Sequence, residues 1–373
     1  MSAHPAAPAT PRPWWSYVEP WAGAYALLGF TVSGGLPMLL PLAVDRAGNA
    51  AEVGLVMASL SLGTVMSPVC GALADRYRIH RILLAAGVLL TGVAVALLAW
   101  TTGVGPRAAL AFAAGCGSAA ASTVAYLFVV EAHPRAEWPH RFGALQLVYV
   151  SAQVLGLIFA GFIARIDLHA GFIADGAVAM AAALVAWLST GSRRYATGVG
   201  FTRPAPGSPN PPIAQHPPVM RVEHALGVHR GWHLPNGAVL RRVAASPFAI
   251  FLGVWVLAFT GSSTFFALYP VFMARVFHID PSRSSLAYAA AVGLSLTLFS
   301  PAARWANDLG AGRLVRVGIQ IRLLALLVIA GLSVLGGAMG ALGAVVAFAA
   351  LVLAWALLGV SGPPLAARRS PVG

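Results

Sequence analysis

The chain contains no lysine: all 24 of its basic residues are arginine, and only 11 acidic residues stand against them in 373 positions. With charged residues at 9%, hydrophobic residues at 58% and a mean hydropathy of +0.78, a water-soluble globule of this size would lack the polar groups needed to cover its surface. Cysteine is almost as scarce. Cys70 and Cys116 both fall inside apolar runs without metal-ligand spacing, which excludes a disulfide framework or a zinc site and leaves both as packing residues. A cleavable leader pattern is also missing. Met1 to Glu19 is rich in Pro and Ala, with Trp14 and Trp15 near its end, and the first apolar run is of full spanning length. It therefore reads as an uncleaved anchor with the two Trp at the lipid headgroup level. The net charge of +13 would suggest a nucleic-acid partner in a soluble protein. Here the arginines sit in the connections between apolar runs rather than along one amphipathic face, so no nucleic-acid partner is expected. Arginine without lysine, together with abundant Ala, Gly, Pro and Val, points to a GC-rich bacterial genome.

What the chain does have is apolar segments long enough to cross a bilayer, which takes about 20 residues each. Six precede the middle: approximately Trp21 to Val44, Ala51 to Leu73, Ile82 to Trp100, Ala108 to Val130, Phe142 to Ala164 and Ala170 to Leu188. Four follow: approximately Phe248 to Met273, Leu286 to Pro301, Leu314 to Leu335 and Ala338 to Val360. The expected fold is all-α and polytopic. Residues 1–190 form an N-terminal six-helix transmembrane bundle, 191–246 a Pro/Arg-rich cytoplasmic linker, and 247–373 a C-terminal transmembrane bundle of four helices. In the linker, Pro204, Pro206, Pro209, Pro211, Pro212, Pro217 and Pro218 alternate with Arg and His, and no apolar period survives. His216, His224, His229 and His233 there match no metal cage, and neither metal nor cofactor is implied. With the N-terminus in the cytoplasm, Arg76, Arg78, Arg81, Arg135, Arg141, Arg304, Arg313 and Arg316 lie inside, while only Arg46, Arg107, Arg165, Arg275 and Arg283 lie outside. That asymmetry is what orientation by positive charge requires, and it places the chain in the cell's inner (plasma) membrane as a multi-pass protein.

A hexapeptide, Gly71-Ala72-Leu73-Ala74-Asp75-Arg76, recurs in degraded form within Ala303-Arg304-Trp305-Ala306-Asn307-Asp308-Leu309-Gly310. Two copies of one membrane unit imply a transporter. At an offset of about 232 residues, the start of the fifth span near Phe142 maps to about position 374, so a second half lacking its last two helices is expected. The extended segment Gly71 to Arg81, placed between helices two and three, resembles the loop signature of the major facilitator superfamily. The layout of six helices, an inner linker and a second set resembles that family over essentially the whole chain. The resemblance implies two bundles that rock about a midplane site, with a small organic solute as substrate, the lipid bilayer as surroundings and a proton as candidate coupling ion. It also implies that Gly71, Asp75, Arg76 and Arg81, with Asn307 and Asp308 in the second copy, form a gating latch on the cytoplasmic side. Gly71 would allow close helix approach, Asp75 would face a helix N-terminus, and Arg76 and Arg81 would stay with water or anionic lipid. Three departures stand out. Arg78 occupies the place of the turn glycine expected after Tyr77, Ala111 the place of the family's fourth-helix arginine, and Leu157 follows Gly156 where drug antiporters have Gly-Pro. The missing pair counts against a drug antiporter, and export of a small organic compound is the direction expected.

The resemblance puts helices one, four, seven and ten around the central cavity, flanked by two, five and eight. On helix five, Gln146, Tyr149 and Gln153 share one face at i, i+3 and i+7; solute binding and interhelical hydrogen bonding both fit them. Helix four offers Ser118, Ser122 and Tyr126, and helix seven offers Trp255, Thr260, Ser262, Ser263 and Thr264. Small hydroxyls tend to bond their own helix, whereas Tyr126 and Trp255 present broad faces suited to an organic solute. Among ionisable groups, Glu131 and Asp175 are coupling candidates. The competing reading of Asp175 and Arg322 is snorkelling or structural pairing, and that of Glu131 is a network with Arg135 or Arg141. Gly336, Gly337, Gly340 and Gly343 allow helices nine and ten to cross closely. Two other classes compete with a carrier. One is a non-functional or non-transporting remnant of such a gene. The other is an intramembrane serine protease, suggested by Gly359-Val360-Ser361-Gly362 but lacking any later His, so that a short helix-end turn explains these glycines. No catalytic residue is expected.

Overall fold

The computed structural model describes residues 14–133, 137–191, 246–335 and 337–369. The histidines and prolines of the expected linker, and Arg135, lie outside them. Among the described residues, ten helices are long and apolar enough to cross a membrane, and there is no strand. They are α1 (Ala22–Ala47), α2 (Ala50–Ala74), α3 (His80–Leu97), α4 (Val104–Val129), α5 (His140–Ile163), α6 (Leu168–Ser189), α7 (Ala249–Phe277), α8 (Pro281–Ala302), α9 (Asp308–Leu335) and α10 (Met339–Gly362).

Caps explain several of the starts. The Asn49 side chain accepts from the amides of Ala51 and Glu52, Asp167 from His169, and Ser246 from Ala249, each satisfying an otherwise orphaned helix donor. Asp280 does the same for Ser282 at 2.9 Å ahead of α8. That cap, followed by Pro281, carries α8 several residues N-terminal to the expected start at Leu286. Likewise α9 begins at Asp308 rather than Leu314, because Arg283 and Arg313 extend from helix ends without interrupting them.

Two spans are irregular. α1 passes through a π-helical stretch, Phe30–Gly35, between regular segments Ala22–Gly29 and Leu36–Ala47. α2 is divided by a turn at Val65 and Met66, after which Pro68 sits in the first turn of the segment Ser67–Tyr77. The first hexapeptide copy ends that segment, and Arg78 closes it in the left-handed region with φ 53°. The second copy is not a loop. It continues from helix Pro281–Trp305 through a π-helical stretch, Ala306–Gly310, into helix Ala311–Leu335.

The core reveals how the halves sit together. At the end bearing the α1–α2 connection, one continuous apolar cluster includes Leu36, Leu39, Val53 and Leu157 from the first bundle and Tyr269, Met273, Tyr288 and Phe348 from the second. At the opposite end the clusters are separate. Trp21, Leu28, Val88, Val124 and Phe128 pack within the first bundle, whereas Phe251, Val315 and Leu358, and Ala302, Leu314 and Leu357, pack within the second. Polar contacts between the bundles follow the same division. Ser285 Oγ donates to the Leu157 carbonyl at 2.6 Å, Arg275 pairs with Asp45 at 2.7 Å and Arg165 with Asp280 at 3.3 Å. All three lie toward the α1–α2 end.

Candidate functional site

Side chains of α1, α4 and α5 come together around Tyr25. Tyr25 and Ser33 of α1 both meet the same side chain of α5. Tyr149 of α5 shares a hydrogen bond with Ser33, Oη to Oγ 2.7 Å, and its ring lies 4.7 Å from that of Tyr25. Tyr25 in turn donates to the Tyr126 hydroxyl at 3.4 Å. Tyr126 is 42% exposed, and its ring also meets Phe142 at 5.7 Å. The outcome is a cluster of hydroxyls and ring faces. Gln146 and Gln153 are half-buried on the same face of α5 as Tyr149. Tyr25 and Ser33 escaped the sequence reading; a polar pair eight residues apart inside the first span was the available signal.

A second group of rings belongs to α7, α8 and α10. Trp255 stacks on Phe259 at 4.7 Å, and Phe259 meets Trp355 of α10 edge-on at 5.3 Å. Gly362 makes this possible, since a Cβ there would overlap the Trp255 ring. Phe266 stacks on Tyr288 at 5.8 Å. Thr260 and Ser263 are exposed on α7, but they are turned from Trp255 by about 140° and about 80° around the helix, so they do not share its ring face. Ser262 and Thr264 donate to their own helix, to Ala258 at 2.8 Å and Thr260 at 2.9 Å, and Ser118 does so to Gly115 at 2.9 Å.

The two ionisable groups singled out within spans do not snorkel. Asp175 is 0% exposed and Arg322 5% exposed. Neither oxygen of the Asp175 carboxyl has a hydrogen-bond partner; the adjacent Thr31 hydroxyl donates instead to the Asp175 backbone carbonyl at 3.2 Å. The carboxyl lies against Gly35 in the π-helical part of α1, where a Cβ would collide with it. Structural pairing also fails for Arg322, whose Nε and Nη1 are buried without partners. It is enclosed by rings instead. Long helices pack these side chains too far from water for either to reach it, which composition alone does not reveal.

At the end where the bundles separate, Arg141 pairs with Glu19 at 3.1 Å and with Glu137 at 2.8 Å. Glu19 also pairs with His133. Burial raises the Glu19 carboxyl, but hydrogen bonds from His133 and Trp21 and the charges of His133 and Arg141 outweigh it and hold the group below its ordinary value. The side chains of Glu131, Asp75 and Asn307 lie outside the described residues, while Asp308 is exposed. Arg76 is exposed near the Tyr77 ring, and Arg81 lies 4.2 Å over the Trp187 ring while donating to the Trp187 carbonyl at 3.0 Å. Arg81 thus fastens α3 to α6 rather than simply facing solvent or lipid. Gly71 meets only the Thr123 methyl, at 3.3 Å from where its Cβ would be.

Ser361 is fully buried and donates to the Leu357 carbonyl one turn earlier. The expected helix-end turn at Gly359 to Gly362 is absent; helix Gly337–Arg369 runs through it. Gly343 does permit the close crossing of α9 and α10, a Cβ there coming within 2.8 Å of Leu332. Gly336 lies outside the described residues, as does anything beyond the backbone of Gly337.

The family model for the Major Facilitator Superfamily matches residues 21–372. No curated protein matches the sequence. Solved structures do match the fold. A nucleoside transporter, NupG, is 13% identical, with 94% of this chain and 85% of that chain covered at a TM-score of 0.67. A D-xylose–proton symporter is 16% identical, with 93% and 80% covered at 0.65. A bacterial homologue of the human lysosomal transporter Spinster, inward-facing and unoccupied, is 15% identical, with 97% and 80% covered at 0.64.

Proposed function

Since the chain belongs to the major facilitator superfamily, we propose that it moves a small organic solute across a bilayer by alternating access, with export as its direction and the N-terminus inside the cell. The supporting observation is the divided core. One cluster joins both bundles at the α1–α2 end, and separate clusters serve each bundle at the other end. Such an arrangement suits two rigid bodies that exchange which end they press together. In the proposed orientation, the space between Tyr126, Tyr149, Gln146 and Gln153 on one side and Trp255 on the other opens toward the cytoplasm. Thr260 and Ser263 would contribute only after rotation of α7. Asp75, Arg76, Arg81, Asn307 and Asp308 would meet at the cytoplasmic side in the opposite state.

A proton is the proposed coupling ion. Asp175 is the better-supported carrier of it than Glu131, because its carboxyl is fully buried against α1 with both oxygens unbonded. Binding or release of one proton there changes the charge beside the least regular part of α1. Flux of radiolabelled solutes in proteoliposomes containing the full chain, with and without a pH gradient, tests the reading. Gradient-dependent flux that Asp175→Asn uncouples, leaving solute exchange intact, is expected. Absence of flux for every class of solute would defeat the carrier reading; flux indifferent to the gradient would defeat proton coupling.

A further inference from the structure

We propose that Arg322 and the rings around it form a subsite for an organic anion: a carboxylate carried on a flat, apolar body. The proposal deepens the carrier reading and rests on it for its place in transport. Arg322 projects from α9 among side chains of two other helices. Its guanidinium carbon lies 5.3 Å from the ring centre of Phe259, 6.0 Å from that of Phe266 and 5.6 Å from that of Trp355. The residue is 5% exposed, and Nε and Nη1 donate to nothing. Among the described residues no carboxylate pairs with it.

Ring faces attract a cation but leave its N–H groups unsatisfied. A buried cation in that condition is costly in hydrocarbon, and a charged group with vacant N–H donors fits one class of partner best, an oxyanion that accepts from it. The surroundings specify the rest of the ligand. From half-buried Trp255 the ring faces continue through Phe259 to Trp355, and both of the latter rings lie against the guanidinium. A neutral sugar would find little to bond there. An aromatic carboxylate would place its ring among rings and its charge against the guanidinium.

The full chain in lipid nanodiscs, titrated with radiolabelled benzoate and challenged with neutral benzamide, tests this. Benzoate is expected to bind, benzamide not to displace it, and Arg322→Gln to weaken binding by at least about tenfold. Arg322→Lys, which keeps the charge but loses the planar guanidinium that lies over the rings, is expected to fall between. Because the arginine is unpaired, Arg322→Gln is also expected to leave the thermal unfolding midpoint unchanged or higher. No benzoate binding by the full chain, equal binding by Arg322→Gln, or a lowered midpoint in that variant overturns the proposal, the last because it assigns Arg322 to structure. Solute flux without benzoate binding would remove the anion subsite and leave the carrier reading standing. Benzoate binding without any flux would uphold the subsite and remove the carrier.

Discussion

At the scale of single residues, Arg78 shows how a departure from a pattern becomes a measurable cost. The left-handed backbone at the end of the segment Ser67–Tyr77 is the conformation glycine adopts freely, and an arginine holds it with φ 53°. Arg78→Gly is expected to stabilise the protein by about 1 kcal/mol, seen as a higher thermal midpoint in detergent; an unchanged or lower midpoint would contradict it. Glu19 gives a prediction in pH. Its value is lowered on folding, so the unfolded chain takes up the proton more readily. The stability it contributes is complete above the ordinary glutamate value of about 4.3 and is lost as pH falls through the lower folded value. Glu19→Gln is therefore expected to flatten the acid side of a plot of thermal midpoint against pH, and an acid side identical to that of the parent would refute the assignment. The sequence marked Arg78 as a departure, but it could not show that Glu19 reaches His133 and Arg141, since these partners come from the far side of four spans.

At the scale of elements, hydropathy located every span, because crossing a bilayer demands long apolar helices whatever their neighbours. It could not locate the irregularities within them. The π-helical stretch of α1 carries no proline; it lies where α1 crosses α5 so closely that a Cβ on Gly156 would overlap the Phe30 carbonyl and the Gly34 backbone. That crossing depends on two segments more than a hundred residues apart. Gly156→Leu is expected to force α1 and α5 apart and to abolish folded, monodisperse protein, whereas Gly253→Ala, with nothing within 4 Å of its Cβ, is expected to be neutral or stabilising by up to about 1 kcal/mol. Size-exclusion profiles and thermal midpoints of the pair decide it; equal behaviour would mean the crossing tolerates separation. The candidate site was legible to the same degree. Tyr126, Tyr149 and Trp255 fall within the two ring clusters, while Tyr25, Ser33, Phe259, Tyr288 and Trp355 became visible only once the helices were placed beside one another.

At the scale of the whole molecule, the joined end is held by the shared apolar cluster together with the pairs Arg275–Asp45 and Arg165–Asp280. In a chain with Cys70→Ala and Cys116→Ala, a thiol introduced by Tyr126→Cys is expected to react with an impermeant maleimide added on the side of the N-terminus and to be protected from the other side. Asp45→Asn combined with Asp280→Asn is expected to raise labelling from the protected side. Equal labelling from both sides in the parent would show that the divided core does not seal either end. Both arginines of these pairs, and Asp280, are about half exposed, so each pair contributes roughly 0.2–1 kcal/mol and mobile ions weaken it. The conformational balance thereby acquires a dependence on the medium bathing that face: dilute surroundings favour the present shape, and brine favours its release. A protein built this way answers to the salinity on that face of the bilayer.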